Sequence, residues 1–499
     1  MIIVGAGFGG VAAAIELGRH GFSDVTILEA APELGGTWYY NNYPGAACDV
    51  PSHAYSLSYA QRTDWSRLCS PRDEILDYLR QVGSDFGVAD RVVPGTRVTD
   101  CEWDPASCTW TVRAVRDGGG EEVSYRCEAI VLATGQLNQP ALPRIPDLDS
   151  FAGHSFHSAR WDHHYDLRGK SVAVIGTGAS AVQFVPEIAG QVGRLSVFQR
   201  SGNWFLPRRN RPYPRSVKTM IARVPGLQAA RRLFLFKYLE ALTAAIRNPA
   251  TFGRIGWLRS TLFMRWQMRD PELRRKAWPD YTFGCKRVLF SSAYLPALQR
   301  PNVELITEEI TGMTPRWPVT SDGRVHPVDC VIYGTGFKTN DFMLPMKITG
   351  TGGRTLAGEW ADGPHAHLGI TVPGFPSMFL LYGPNTNTSG GSIIFFLEQQ
   401  VAYLRQALQR VRASGASAIE VRAEVERRSD RAVQARFGGT AWTRCDSWYR
   451  NKSGRIVANW PGYMTEYARR TQTLDAGEFD LLHRDAPAVA EPWRTERAG

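Results

Sequence analysis

Two short turns constrain this chain more than any other feature in it. IIVGAGFGGVAAAIEL near the N-terminus and SVAVIGTGASAVQFV from Ser171 each read as strand, glycine turn and helix. Gly5, Gly7 and Gly10 form G-x-G-x-x-G in the first, and Gly176, Gly178 and Ala181 form G-x-G-x-x-A in the second. Such a turn lets backbone N–H groups at a helix N-terminus approach a pyrophosphate. The expected fold is therefore α/β, with two Rossmann-like dinucleotide-binding units. EAIVLATG and DCVIYGTG, ending at Gly135 and Gly336, close the two units in the same way. The first sixteen residues are apolar, but they lack the basic start of a signal peptide, and their glycine spacing marks them as a buried strand and turn.

The two units carry opposite charge logic. The strand after each turn ends in a charged residue, Glu29 in DVTILEA and Arg200 in RLSVFQR, and each lies 24 positions beyond the first glycine of its turn. A carboxylate there accepts hydrogen bonds from an adenosine ribose and repels a 2′-phosphate, whereas a guanidinium binds one. The first unit is thus expected to take FAD and the second NADPH rather than NADH.

Bulk properties narrow the remaining classes. A chain of 499 residues, 43% of them hydrophobic, can bury a large core spread over more than one domain. Its eight cysteines are scattered singly, without C-x-x-C pairs or metal-ligand spacing, which predicts a reduced cytoplasmic protein with no metal site. No apolar run reaches the roughly 18 residues of a membrane span. The net charge of +10 comes without an aromatic RNA-binding signature or zinc-finger spacing, so no nucleic-acid partner is expected. The basic residues gather between about 205 and 276 in a stretch of helical pattern, which reads first as solvated arginine-rich faces and leaves a peripheral membrane contact open.

One stretch, FAGHSFHSARWD at 151–162, fits neither the helix nor the strand period. Phe151, Gly153, His157, Trp161 and Asp162 match F-x-G-x-x-x-H-x-x-x-W-(P/D), and GGTWYYNNYPGAACD supplies Gly35, Gly36, Trp38, Tyr43, Pro44, Gly45 and Asp49. On these two fingerprints, together with the paired turns, the chain resembles the type I Baeyer–Villiger monooxygenases from Gly5 to about Gly462. Related N- and S-oxygenating flavin monooxygenases usually carry Tyr or Phe where Trp161 stands, which favours ketone oxidation. A flavin-binding redox sensor without turnover is a more distant alternative, and the Lys286, Arg287 and Asp49 set argues against it.

The resemblance implies the rest. The enzyme would take electrons from NADPH, activate dioxygen as a peroxyflavin, and insert one oxygen atom beside a ketone carbonyl to give an ester or lactone. Negative charge persists through such a reaction, so a permanent cation is the main electrostatic requirement. In YTFGCKRVLF, Arg287 matches the family's active-site cation, Asp49 would orient it, and Lys286 would join Arg200 at the 2′-phosphate. Trp38 and Asn385, the latter in LYGPNTNTSGGS, fall in loops that meet the flavin, and the helix after that second loop would favour the reduced-flavin anion by its N-terminus. Trp448 in Ser447-Trp448-Tyr449 would line the nicotinamide and substrate side. His157 would couple the motion of the two domains across the 151–162 stretch, taken as a hinge. The expected organisation is an FAD domain from 1–145 and 340–475, an NADPH domain from 152–335 with a helical insertion at about 205–280, and a loose polar arm from 476.

Overall fold

The computed structural model describes residues 1–117, 120–208, 210–388 and 390–484, with 496–497 as backbone. Two parallel five-stranded sheets organise it. The first has the order Met378–Leu380, Ile130–Leu132, Ile2–Val4, Thr26–Leu28, Val92–Val93, and the second Val303–Ile306, Arg194–Phe198, Ser171–Ile175, Cys330–Tyr333, His154–His157. In each, the strand that leads into the glycine turn lies between the strand that ends near the charged residue and the strand that closes the unit. Ile3 is flanked by Ile27 and Val131, and Val172 by Leu195 and Cys330. The central strands are buried almost throughout, by helices on one face and by further strands and loops on the other, which is why they read as unbroken apolar runs. A third sheet, largely antiparallel and including Thr96–Asp104 and Thr109–Arg116, packs through Trp103 and Trp110 against the first.

The stretch without a period turns out to be structured. His154–His157 is the edge strand of the second sheet, paired in parallel with Cys330–Tyr333. Four residues at an edge are too few to display alternation, and Trp161 beyond them packs on Phe156 and Phe184. The crossing between the two sheets lies outside 151–162, in two segments that run side by side. Pro140 bridges Phe337, Ala141 N donates to Gly336 O, and Lys338 N donates to Gln139 O.

The helical segment between 205 and 280 holds four helices, Arg215–Arg223, Leu227–Arg247, Phe252–Gln267 and Pro271–Ala277. It is not confined to the second unit. Met264 and Met268 join the core of the second sheet, while Leu235, Leu239 and Ile246 pack with Phe396, Trp442 and Trp460, in the part of the chain that follows the Met378–Leu380 strand of the first. The arm expected to be loose is partly a strand: Phe479–Leu482 pairs antiparallel with Ala418–Val421 and buries Phe479. Most of 485–499 lies outside the described residues. Among the described residues no helix is long and apolar enough to cross a membrane, and no His, Cys, Asp and Glu group could hold a metal ion.

Candidate active site

The first glycine turn is built by close backbone approach. A Cβ at Gly10 would stand 1.9 Å from the carbonyl oxygen of Gly5, so only hydrogen fits there. Gly7 caps the Phe8–Arg19 helix without any side-chain hydrogen bond, which leaves the first N–H groups of that helix open to an anion. Glu29 is buried at the end of its strand, where Oε2 accepts from Ala6 N at 2.6 Å and Oε1 from Ala31 N at 2.7 Å. Burial raises its pKa and these backbone donors oppose the rise. Each oxygen keeps a lone pair for a ribose hydroxyl.

The second turn repeats this design. Gly178 caps Ala179–Ile188 with no side-chain bond, and Ala181 is buried against the Cys330–Tyr333 end of the sheet, where Gly334 leaves room for its methyl group. Arg200 is exposed just past Arg194–Phe198. Lys286 reaches the same place from the other side, with Nζ donating to Ser201 Oγ at 3.1 Å and standing 4.6 Å from the centre of the Tyr281 ring. Burial, and then the positive charge of Arg200, hold the Lys286 ammonium below its usual pKa. A lysine whose pKa is lowered by a neighbouring arginine marks a site for an anion.

Between the two units lies the pair that joins them. Arg287 Nη2 donates to Asp49 Oδ2 at 2.5 Å across 238 positions of sequence. Arg287 is surrounded by protein and yet 41% exposed, which together describe the wall of a cleft. Asp49 is the largest influence on it and raises its pKa, with Tyr449 and Tyr382 contributing in the same direction. The cation is therefore permanent at any working pH. Tyr382 and Gln183 were not singled out from the sequence. Tyr382 donates to Asn387 Oδ1, and Gln183 accepts from Tyr43 Oη and Ala47 N and donates to Ala47 O, locking the second fingerprint onto the helix of the second unit. Gly45 makes that contact possible, because a Cβ there would stand 2.9 Å from Gln183 O at a backbone φ of 77°. Tyr382 lies within LYGPNTN and could have been weighed there, but Gln183 gives no signal in the sequence.

Other expected residues fall as follows. Trp38 is buried, with Nε1 donating to Tyr55 Oη at 3.3 Å. Trp448 is 38% exposed and rests on Tyr449, their ring centres 4.2 Å apart. His157 is buried, Nδ1 accepts from Ala159 N, and burial pushes its pKa down to about 4. The ring is neutral with its proton on Nε2, which faces the Gly336 backbone at the crossing. Phe151 is half-buried, Gly153 is exposed, and Asp162 Oδ2 lies 3.0 Å from His154 Nε2. Asn385 departs from expectation. Its Nδ2 donates to the carbonyls of Ile456 and Asn459, and Oδ1 accepts from Gln434, so its amide is engaged in holding one loop on another. Nearby, Gln136 Oε1 and Asn459 Nδ2 are buried without partners, as polar atoms facing a ligand would be. The Ile393–Ser414 helix begins with no side-chain cap, and Leu397, Val401, Leu404 and Leu408 are buried, with Val411 half-buried.

The cysteines correct the expectation that all eight are reduced. Cys285, next to Lys286, is bonded to Cys445, three residues before Trp448. Partners 160 positions apart leave no trace in local spacing. Titration of the denatured, unreduced chain should find six thiols, and a count of eight would show the pair reduced.

Comparison with known proteins fits this geometry. The pyridine nucleotide-disulphide oxidoreductase family model matches residues 2–224. A Baeyer–Villiger monooxygenase of Streptomyces coelicolor is 39% identical over 97% of this chain and 93% of its own length, and one of Pseudomonas aeruginosa 37% identical over 100% and 94%. Among solved structures, an oxidized steroid monooxygenase bound to NADP superposes with a TM-score of 0.84 at 30% identity, covering 97% of this chain and 99% of that one. A closed cyclohexanone monooxygenase gives 0.85 at 26%, covering 97% and 98%. With two full-length relatives of that name above a third identity, and the fingerprints in register with the sheets, this chain belongs to the Baeyer–Villiger monooxygenase family.

Proposed function

We propose that this monooxygenase binds FAD on the first unit and NADPH on the second, and converts a ketone, dioxygen, NADPH and a proton into an ester or lactone, NADP⁺ and water. The observation that carries the reading is the Arg287–Asp49 pair, supplied by one residue from each unit and open to the cleft. Bound flavin would accept electrons from NADPH and activate dioxygen. What the protein adds is charge and position. Arg287 holds negative charge at the reacting oxygen, and Asp49 fixes the plane of its guanidinium while keeping it ionised. The open N–H groups behind Gly7 and Gly178 would hold the two pyrophosphates, Glu29 a ribose, and Arg200 with Lys286 the 2′-phosphate. His157 is a positioning residue at the crossing, since a ring held neutral down to about pH 4 is a poor proton carrier near neutrality. Trp448 would line the substrate side, and the need for NADPH supports a cytoplasmic location.

The test is a product assay with purified holoenzyme, NADPH and a panel of linear, cyclic, aryl and steroidal ketones beside sulfides and amines. At least one ketone should give ester or lactone in proportion to the NADPH consumed. Coupled oxidation confined to sulfides or amines would overturn the reading.

A further inference from the structure

The inserted helices turn an unexpected face outward. In Phe252–Gln267 the side facing the protein carries Gly253, Ser260, Thr261 and Met264, and Ser260 Oγ donates to the carbonyl of Phe205 at 2.7 Å. The opposite stripe is Phe252, Ile255, Leu258, Leu262 and Trp266, spaced three or four residues apart and exposed by 54%, 58%, 50%, 59% and 72%. A surface helix ordinarily has the reverse arrangement. Leu233 and Phe234, 60% and 69% exposed, extend apolar exposure to the neighbouring Leu227–Arg247 helix. Eleven of the fifteen large apolar side chains exposed among the described residues lie between 220 and 266. Clustering of that kind marks an interaction site rather than scattered surface.

Charge identifies the occupant. Residues 215–269 hold eleven lysines and arginines, of which Arg231, Arg232 and Arg247 are engaged with the protein, and a single acid, Glu240, whose carboxylate is engaged by Thr465. The net charge of this segment equals the +10 of the whole chain. A second copy of the chain would bring the same positive face against this one, so self-association is opposed by repulsion. Apolar tips interleaved with arginines instead match a bilayer interface, where the tips sink among the acyl chains and the guanidinium groups meet phosphates. We propose that the face made by Leu227–Arg247 and Phe252–Gln267 docks the enzyme on an anionic membrane surface, without crossing it.

The experiment is co-sedimentation of holoenzyme with vesicles of phosphatidylcholine alone or with phosphatidylglycerol, at low and high salt. Two double variants accompany it, Leu262→Ser with Trp266→Ser and Arg259→Glu with Arg265→Glu, all at exposed positions outside the Arg287–Asp49 pair and the two glycine turns. Wild type should sediment with phosphatidylglycerol vesicles, release in high salt, and ignore phosphatidylcholine. Each double variant should weaken vesicle binding about tenfold or more while FAD content and ketone-dependent turnover stay unchanged. Absence of vesicle binding, or binding that neither pair of substitutions weakens, would overturn the proposal. So would a serine pair that converts a dimer to a monomer in light scattering with no vesicle binding in wild type, since the face would then serve a second copy of the chain.

Discussion

Arg287→Ala should still bind FAD and consume NADPH, yet yield about a hundred- to a thousandfold less ester per unit time, with the electrons recovered as hydrogen peroxide. The expectation follows from where the residue sits. Arg287 is bonded to Asp49 on the wall of the cleft, whereas the proposed dinucleotide sites at Gly7 and Gly178 are built from other parts of the chain. Under the proposed function, removing it leaves electron delivery in place and deletes the cation that would hold negative charge through the oxygen insertion. Lysine at 287 should restore little, because a single ammonium cannot keep a two-armed grip on Asp49 and on the reacting oxygen together. The measurement is product per NADPH alongside peroxide release, with bound FAD per chain as the control for folding. Wild-type coupling in the alanine variant would remove Arg287 from the catalytic role.

What could be read from the sequence divides along physical lines. The glycine turns, Glu29 and Arg200 were legible because each follows from local geometry: a turn that admits no Cβ at Gly10, and a strand that delivers a charge just past its end at one edge of the turn. The equal counts to Glu29 and Arg200 correspond to equivalent strands in the two sheets. Long-range pairing was not legible. His154–His157 is recognisable as a strand only through its partner Cys330–Tyr333, the crossing is defined by Pro140 against Phe337, and Cys285 meets Cys445 through the fold alone. Asn385 lies in the expected loop, but spacing says nothing about whether its amide faces a ligand or, as here, Ile456 and Asn459. The inserted helices illustrate a different limit. Periodicity locates the apolar stripe of Phe252–Gln267, but only the tertiary structure reveals that Gly253, Ser260 and Thr261 face the protein and the stripe faces outward.

For Arg200→Ala, the Michaelis constant for NADPH should rise about ten- to a hundredfold while that for NADH stays nearly unchanged, because a charged hydrogen bond of this kind contributes about 1.5 to 3 kcal/mol and NADH offers no phosphate to receive it. Lys286 gives the prediction a pH signature. In the native protein its ammonium is held below the ordinary 10.5 by burial and by Arg200, so it loses its charge at a lower pH than a free lysine. The NADPH constant of wild type should therefore climb on the alkaline side before pH 10.5, as the second cation of the site disappears. Removing Arg200 takes away one cause of that depression, so in the variant the pKa of Lys286 moves back up and the alkaline climb shifts to higher pH, even though binding is weaker throughout. A variant that merely distorted the site would raise both constants and leave the pH of the climb where it was. Equal losses for NADPH and NADH would therefore remove Arg200 from the 2′-phosphate site, and an unmoved alkaline limb would separate Lys286 from it.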